Sequence, residues 1–354
     1  MALKKADYII VGQGLAGSCL ALQLLFRKKR VLVIDRVKEH SATRVAAGLF
    51  NPITGRQMVK TWLADELFPY LHTFYPKAEN FLASKFFFPM PLYRPFISVE
   101  EQNEWMGRSA DSTYSSYFQQ LYVTSQLGHQ VKNPYGGLLL KQCGYVDTSA
   151  FTNALRDYLR HTDSLLDEDF AAIDLKLEHD AVVYKDWQAS RVIFCTGDST
   201  SNTPYFSWLP IKPLKGETLT LATDEQVDMI YNRGVYVVPT LWKAGATYNI
   251  HDVTPGTTEA GRIELMVKLR DLIVFPYTIT NQHWGFRPTT PDRRPILGPH
   301  PVYSQIVIFN GLGTKGVSLA PYFSDELTCW MENGQPINQS VSVSRYKSLY
   351  SKSA

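Results

Sequence analysis

The segment Gly12–Gly17, with the sequence GQGLAG, constrains the fold of this chain more than any other part of it. It lies between two short apolar runs, Asp7–Val11 and Arg30–Ile34, and the stretch Ser18–Lys28 is long enough for about three helical turns. A strand, a glycine turn, a helix and a second strand in this order favour a parallel sheet. The segment is therefore predicted to open a Rossmann-type nucleotide-binding unit.

The three glycines of this segment have separate expected roles. Gly12 permits the tight turn, Gly14 lets a pyrophosphate approach the backbone, and Gly17 lets helix and strand pack closely. The N-terminus of the helix then faces the negative phosphates. Asp35, at the end of the second strand, can accept hydrogen bonds from ribose hydroxyls; the alternative is a structural turn followed by a surface aspartate. This pattern does not distinguish NAD from FAD.

Composition and charge argue against several other classes of protein. The 354 residues predict two domains, and 45% hydrophobic with 19% charged residues is typical of a packed globular chain. A formal charge of +3 does not indicate a nucleic-acid partner. The four cysteines, at positions 19, 143, 195 and 329, form no zinc-binding pair or disulfide framework, so we expect no metal and a reducing cytoplasm. The apolar stretch Tyr8–Phe26 is expected to be a buried strand, turn and helix, with no membrane span.

A second segment, Ser41–Pro52 with the sequence SATRVAAGLFNP, follows the acid–arginine pair Asp35 and Arg36. This order resembles the D-amino-acid oxidase family, which includes glycine and sarcosine oxidases, where a Ser/Thr-rich turn and Ala-Ala-Gly-Leu follow such a pair. The resemblance implies FAD as the cofactor, with Thr43 in the turn at the pyrophosphate and the Ala47–Leu49 backbone against the flavin ring. Small residues suit this place because a planar ring can approach the backbone only where side chains are missing.

Three further segments resemble the same family in the same order. Val192–Gly197 is similar to the strand and Thr-Gly turn beneath the nucleotide, and Phe170 matches the position whose backbone contacts adenine. Trp284–Pro288 resembles the Gly-hydrophobic-Arg-Pro segment, and it lacks the cysteine through which sarcosine oxidases attach flavin, so we expect non-covalent FAD. Gly311–Val317 resembles the glycine-rich loop at the pyrimidine end of the flavin. The expected cofactor contacts are Gly12, Gly14, Leu15, Ala16, Gly17, Asp35, Arg36, Thr43, Ala47, Gly48, Leu49, Phe170, Thr196, Gly197, Gly313, Thr314, Lys315, Gly316 and Val317.

The segments of the nucleotide-binding unit are separated along the chain by predicted antiparallel strands. Alternating runs at Thr218–Ala222, Val235–Val238 and Ala246–Ile250 predict an antiparallel sheet. We therefore expect an α/β fold in which a discontinuous Rossmann-type FAD-binding domain carries an inserted antiparallel-sheet substrate domain. The expected boundaries are residues 1–75, 142–208 and 281–354 for the FAD-binding domain, and 76–141 and 209–280 for the substrate domain.

Two side chains are implied to hold a substrate carboxylate. Arg287 occupies the arginine of the Gly-hydrophobic-Arg-Pro segment, and its planar fork matches two carboxylate oxygens; the alternative is an ion pair with Asp292. Tyr236 matches a tyrosine that helps to hold the carboxylate, and the alternative is a core tyrosine. Lys315 stands where D-amino-acid oxidases carry Tyr, and is expected either to contact flavin O2 or to be a solvated loop lysine. The insert Phe68–Tyr135 is expected to set substrate choice, although no residue in it stands out.

The expected function is oxidation of a small carboxylate-bearing amine, an amino acid or an N-substituted glycine, to an imine by hydride transfer to flavin. Oxygen or another acceptor would then take the electrons. The segment Gly311–Leu327 resembles more closely the oxidase half of a bacterial bifunctional enzyme that removes carboxymethyl from a transfer-RNA wobble uridine, and this reaction is the alternative. A nucleic-acid partner is expected only under that alternative, and a membrane partner under neither. A flavin-binding redox protein without amine oxidation is the alternative of another class.

Overall fold

The computed structural model describes residues 3–55, 58–109 and 111–353. Its strands, in chain order, are β1 (Lys4–Lys5), β2 (Tyr8–Val11), β3 (Val31–Ile34), β4 (Leu49–Phe50), β5 (Ile53–Thr54), β6 (Val59–Lys60), β7 (Phe87–Pro89), β8 (Leu92–Pro95), β9 (Phe118–Tyr122), β10 (Gly137–Leu140), β11 (Gly144–Val146), β12 (Leu165–Leu166), β13 (Leu175–Leu177), β14 (Val182–Tyr184), β15 (Trp187–Ala189), β16 (Arg191–Phe194), β17 (Lys212–Ala222), β18 (Ile230–Asn232), β19 (Tyr236–Val238), β20 (Lys243–Gly245), β21 (Thr278–Thr289), β22 (Ile296–Pro299) and β23 (Ile306–Asn310). Its α-helices are α1 (Leu15–Phe26), α2 (Ala42–Val45), α3 (Ala64–Leu82), α4 (Val99–Arg108), α5 (Ser112–Ser115), α6 (Thr148–His161), α7 (Glu259–Leu272), α8 (Gly316–Asn333) and α9 (Lys347–Ser353).

The strand, helix and strand predicted at the start of the chain are confirmed, with shifted ends. Helix α1 begins at Leu15, before the predicted Ser18, because the extended residue Gly14 occupies the N-cap position. It ends at Phe26 because Lys28 takes a positive φ of 60°, which an α-helix cannot continue. Strands β2 and β3 then pair in parallel, as the βαβ prediction requires.

The sheet that contains this unit has the order β12-β3-β2-β16-β23-β22. Its strands are parallel except β22, which runs antiparallel to β23. Strands β2, β3 and β23 are buried along their whole length, which is typical of a parallel sheet covered on both faces. Helices α1 and α8 pack together on one side, and the small sheet β1-β15-β14-β13 contributes to the core on the other. The α/β fold with a Rossmann-type sheet is thereby confirmed.

The second large sheet has the order β21-β17-β20-β19-β18-β8-β10-β9, antiparallel except between β18 and β8. The predicted strand Thr218–Ala222 lies in it within β17, and the predicted strand Val235–Val238 corresponds to β19, which begins one residue later at Tyr236. The predicted strand Ala246–Ile250 is wrong, since β20 ends at Gly245. The regular ladder is interrupted there because Oγ1 of Thr247, and not a backbone carbonyl, accepts the N–H of Glu217 at 2.9 Å. Pairing with β17 resumes only as a single antiparallel bridge between Asn249 and Lys215.

The two faces of this second sheet have different neighbours. On one face Tyr93, Tyr231 and Val237 form a core with Leu265 and Leu269 of helix α7. The residues that alternate with them along each strand point to the opposite face. That face turns toward the first sheet, and a large cavity lies between the two.

The proposed division into two domains follows the two large sheets for most of the chain. All strands of the six-stranded sheet fall within residues 1–75, 142–208 and 281–354. The proposed boundary at residue 281 falls inside β21, which runs unbroken from Thr278 to Thr289 alongside β17. The division stays a proposal, and a boundary before Thr278 would leave β21 whole.

The contact between α1 and β2 gives a test of the fold. A Cβ on Gly17 would lie 1.9 Å from the carbonyl oxygen of Gly12, so Gly17→Ala forces helix and strand apart. We expect a loss of about 2–4 kcal/mol in the free energy of unfolding, measured by chemical denaturation. Gly107→Ala is the matched control because it is exposed in helix α4 with open space around it, and it should be neutral or slightly stabilising. Equal effects of the two substitutions would contradict this account.

Candidate cofactor and substrate site

A cavity of about 1780 Å³ lies between the two large sheets. It exceeds the roughly 300–1,000 Å³ of a pocket for one small ligand, so it has room for a large cofactor together with a substrate. Every residue predicted for the site lines it except Gly17. The lining set therefore comprises Gly12, Gly14, Leu15, Ala16, Asp35, Arg36, Thr43, Ala47, Gly48, Leu49, Phe170, Thr196, Gly197, Gly313, Thr314, Lys315, Gly316 and Val317, with Arg287 and Tyr236.

Gly17 is the predicted site residue that lies away from this wall. It packs against the carbonyl of Gly12, which agrees with the helix–strand packing expected of it and not with a direct cofactor contact. Gly12 itself has φ +98°, and a Cβ there would lie 2.5 Å from the carbonyl oxygen of Cys195. Gly48 has φ +66°, and a Cβ would lie 1.8 Å from the carbonyl oxygen of Val146. Only glycine therefore fits at these two turns of the cavity wall.

Two helices begin at the cavity wall. The N-terminal turn of α1 has no side-chain cap from Gly14, and the Leu15 amide donates to Oγ1 of Thr43 at 3.1 Å. Helix α8 begins at Gly316, directly after Lys315, and it too lacks a side-chain cap. Uncapped N–H groups and the helix dipole both favour negative charge. The cavity thus offers an anion two separate helix N-termini.

Asp35 is held at the end of β3 by a set of buried contacts. Its carboxylate accepts from the backbone N–H of Gln13 at 3.0 Å and from the guanidinium of Arg156 at 2.9 Å. Arg156 also donates to the Asp35 carbonyl at 2.9 Å and to Asp167 at 2.6 Å. Burial raises the pKa of Asp35, whereas the Gln13 N–H and the Arg156 charge act in the opposite direction. The alternative of a surface aspartate is therefore wrong.

Arg156 is a site residue that the sequence reasoning missed. It lies in α6, where the buried positions are Thr148, Phe151, Thr152, Leu155, Arg156 and Leu159. This spacing of three and four residues marks the face of a helix that points into a core. A buried arginine on such a face needs a polar or acidic partner. Its place on the same face as Leu155 and Leu159 could therefore have indicated a buried contact.

The residues expected along the nucleotide are distributed over several loops. Arg36 is largely exposed and pairs with Asp169 at 3.5 Å. Phe170 stacks on Tyr184, with ring centroids 5.2 Å apart. Gly197 is tied down through its carbonyl, which accepts from the amide of Asn310 at 2.8 Å. The three loops that follow β3, β12 and β16 therefore meet at the same end of the cavity, as expected at the carboxyl ends of parallel strands.

Arg287 and Tyr236 lie on the second sheet, at the other side of the cavity. A Cβ on Gly216 would lie 2.2 Å from both terminal nitrogens of Arg287, so the guanidinium rests directly on the backbone of β17. One of these nitrogens donates to the carbonyl of Thr247 at 3.3 Å, and the guanidinium lies 5.0 Å from the ring centroid of Tyr248. Among the residues that the structure describes, Arg287 has no carboxylate partner.

The contacts of Asp292 and Lys315 exclude two of the alternative roles. Asp292 pairs with Arg345 at 3.0 Å, so an ion pair between Arg287 and Asp292 is wrong. Lys315 is partly buried, with its ammonium 3.3 Å from Oγ1 of Thr54, so it is not a solvated loop lysine. Burial lowers the pKa of Lys315, and the neighbouring Arg293 lowers it further. A contact between Lys315 and flavin O2 stays a prediction.

Comparison with known proteins identifies the family. The profile of the family described as FAD dependent oxidoreductase matches residues 7–330. The chain belongs to this family. FAD is therefore its cofactor, and the cavity fits that molecule through its size, its glycine turns and its two uncapped helix N-termini.

Individual relatives are distant and longer. The chain is 25% identical over 346 residues to the bifunctional protein ThiO/ThiG of Trichormus variabilis, a match over 89% of this chain and 51% of that protein. It is 24% identical over 331 residues to the tRNA 5-methylaminomethyl-2-thiouridine biosynthesis bifunctional protein of Saccharophagus degradans, over 83% of this chain and 44% of that protein. The chain thus spans about half the length of these relatives. Glycine oxidase from Geobacillus kaustophilus shares the fold, with a TM-score of 0.80 at 18% identity over 96% of this chain and 99% of that one.

Two further observations concern residues 3–55, 58–109 and 111–353. No helix in these ranges is both long and apolar enough to cross a membrane. The same ranges contain no group of three His, Cys, Asp or Glu side chains suited to a metal ion.

The Asp35 contacts give a test of the cofactor site. Arg156→Met leaves the Asp35 carboxylate buried without its cation, which costs about 3–5 kcal/mol in comparable buried pairs. We expect FAD affinity to fall at least about tenfold in a fluorescence titration, because Asp35, which is predicted to bind the ribose, then loses the contact that holds its carboxylate in place. Arg160→Gln is the matched control, since Arg160 shares Asp167 but is half exposed. Comparable FAD affinities in the two variants would contradict the assigned role of Arg156.

Proposed function

We propose that this protein oxidises a small carboxylate-bearing amine, an amino acid or an N-substituted glycine, to an imine. The observation that carries the proposal is a guanidinium without a carboxylate partner among the described residues, facing the cavity that accommodates FAD. An arginine in such a place is costly unless an anion completes it. A substrate carboxylate supplies that anion and orients the amine at the same time.

The surroundings of Arg287 support a clamp for a carboxylate. Gly216 provides the room in which the guanidinium lies flat on β17, and the Tyr248 ring lies beside it. Of the five N–H donors of an arginine, the described residues occupy one, through the carbonyl of Thr247. The remaining donors can therefore meet two carboxylate oxygens in a bidentate arrangement.

Tyr236 supports the same binding site from β19, which β17 and β20 separate from the strand of Arg287. It pairs in register with Gly245, whose Cβ would lie 2.9 Å from the tyrosine hydroxyl. Burial raises the pKa of Tyr236, although the nearby charge of Arg287 acts in the opposite direction. The phenol is therefore protonated at neutral pH and can donate a hydrogen bond to a carboxylate oxygen.

The chemistry then needs little from side chains. Bound FAD supplies a two-electron acceptor for the hydride on the carbon next to nitrogen. The amine nitrogen releases its proton to solvent, and water hydrolyses the imine to a carbonyl compound and ammonia or a primary amine. Oxygen or another acceptor takes the electrons onward. The contribution of Arg287 and Tyr236 is to fix the substrate in one orientation, which is a large part of the catalysis in such reactions.

A second candidate is oxidative removal of carboxymethyl from a modified transfer-RNA uridine. It is favoured by the similarity to the tRNA-modifying relative and by cationic side chains around the cavity, namely Arg36, Lys38, Arg44, Arg293 and Arg294. The pyrophosphate of FAD accounts for part of this positive charge. Release of glyoxylate from carboxymethylaminomethyl-modified tRNA, at a rate above that with free N-substituted glycines, would select this candidate over the first.

The carboxylate clamp is tested by substitution of Arg287. Arg287→Leu should raise KM for a carboxylate-bearing amine about 100-fold, because it removes two charge-assisted hydrogen bonds of about 1.5–3 kcal/mol each, part of which solvent replaces. Arg287→Lys should recover only part of the loss, since an ammonium keeps the charge without the planar fork. The measurement is steady-state kinetics with FAD-loaded protein.

The matched control for this prediction is a change in the substrate. The primary amide of the same amino acid lacks the carboxylate, so its already low rate should be equal in the wild type and in Arg287→Leu. An unchanged KM for the carboxylate substrate in Arg287→Leu would remove Arg287 from the proposed function.

A further inference from the structure

A second cation of the cavity wall is not used by the proposed function. We propose that Arg94 binds a second anionic group of the substrate, so that the preferred amine carries one carboxylate at Arg287 and another carboxylate or a phosphate at its far end. This inference rests on the proposed function and adds the substrate class to it. Arg94 lies in β8, within the insert Phe68–Tyr135 that the sequence indicated as the determinant of substrate choice.

The register of the second sheet places Arg94 in line with Tyr236. Strands β18 and β8 pair in parallel with Tyr231 opposite Tyr93, so one further step brings Asn232 beside Arg94. On the other edge of β18, Asn232 is opposite Tyr236. Strands lie about 4.8 Å apart, so two spacings put Arg94 about 10 Å from Tyr236. The row thus extends from the carboxylate clamp across the sheet.

The members of this row share the face that borders the cavity. Tyr93 and Tyr231 belong to the core beneath helix α7, so the next residues along their strands, Arg94 and Asn232, point to the opposite face. Arg94, Asn232 and Tyr236 all line the cavity. An elongated substrate held at Tyr236 and Arg287 can therefore lie along the sheet toward Arg94.

Arg94 lacks the contacts that a structural arginine makes. Its Nε is inaccessible to solvent and has no hydrogen-bond partner, and no described residue accepts a hydrogen bond from its guanidinium. Burial lowers the pKa of Arg94 to about 10, and the nearby charge of Arg233 acts in the same direction. The group is still a cation at neutral pH, so it is a half-buried charge that an anion in the cavity would stabilise.

The carboxylate nearest to Arg94 is already engaged. Both oxygens of Glu101 accept from Arg233 at 2.8 Å, and one of them also accepts the Ile97 N–H at 2.9 Å. Arg233 therefore has a hydrogen-bonded carboxylate partner, whereas Glu101 acts on Arg94 only through its nearby charge, which raises the pKa of Arg94. The contrast between these two neighbouring arginines indicates a ligand for Arg94, because the nearby carboxylate of Glu101 forms its ion pair with Arg233.

The test separates binding from turnover. In the binding measurement, FAD-loaded protein is titrated with carboxylates that cannot be oxidised, and the change in the flavin spectrum gives Kd. The ligands are butyrate, glutarate and 3-phosphonopropionate, which carry one carboxylate, two carboxylates, and a carboxylate with a phosphonate. We expect a dianion to bind wild-type protein at least about tenfold more tightly than butyrate, and the two dianions identify which second group fits.

Substitution of Arg94 should remove this preference selectively. Arg94→Leu is expected to weaken the favoured dianion about 10- to 100-fold and butyrate less than twofold, with Arg94→Lys in between. With an amine that carries both anionic groups, KM should rise and kcat should stay. Arg270→Gln is the matched control, because Arg270 is exposed on α7, on the other side of the same sheet.

The outcomes are distinguishable. Equal weakening of butyrate and the dianions in Arg94→Leu, or no weakening of either, overturns the role of Arg94. A similar loss in Arg270→Gln would overturn it as well, since the effect would then be one of overall charge. Flavin content and melting temperature of each variant show that it is folded. If the dianion preference is present and depends on Arg94 but no amine is oxidised, the proposed function fails while the second anion site stands.

Discussion

The close approach of helix α1 to strand β2 is the contact on which the rest of the site depends. The Gly17 backbone lies against the Gly12 carbonyl, and this fixes the point at which α1 begins. Because the helix begins there, its N-terminus borders the cavity, and the Gln13 amide comes within reach of Asp35. The acid in turn holds Arg156 and, through it, helix α6. The predicted recognition of phosphate and ribose thus depends on one backbone contact that admits no side chain.

The second sheet supplies what the first lacks. The Rossmann-type sheet offers glycine turns and helix N-termini, which suit a cofactor, whereas the cavity-facing side of the second sheet offers arginines. About half of the arginines in the described residues have an acidic partner, as Arg156 and Arg233 do. Arg287 and Arg94 have none among those residues, and both border the cavity. Arg44, Arg293 and Arg294 also border the cavity without an acidic partner among the described residues, so it is the position of Arg287 and Arg94 on the second sheet that supports the proposed substrate class.

The parts predicted from sequence are those encoded by adjacent residues. The βαβ unit, the glycine turns and the Gly-hydrophobic-Arg-Pro segment are local, and all but Gly17 of the predicted residues line the cavity. Arg156 and Arg94 were not predicted because their proposed roles depend on residues remote in the chain. Arg156 contacts Asp35, which is 121 residues away. Arg94 attracts notice only because Arg233 already binds the nearby Glu101. The run Ala246–Ile250 is not a continuous strand because Oγ1 of Thr247 accepts the Glu217 N–H in place of a backbone carbonyl, which alternation of apolar residues cannot reveal.

The central claim is that one cavity holds FAD and an amine oriented by its carboxylate. Anaerobic mixing of the FAD-loaded protein with a panel of amines, followed by flavin absorbance, tests it most directly. The account predicts that a carboxylate-bearing amine bleaches the flavin within seconds to minutes, and that the corresponding amide does so at least about 100-fold more slowly. A flavin that dithionite bleaches but no carboxylate-bearing amine reduces would contradict the account, as would equal rates with the acid and its amide.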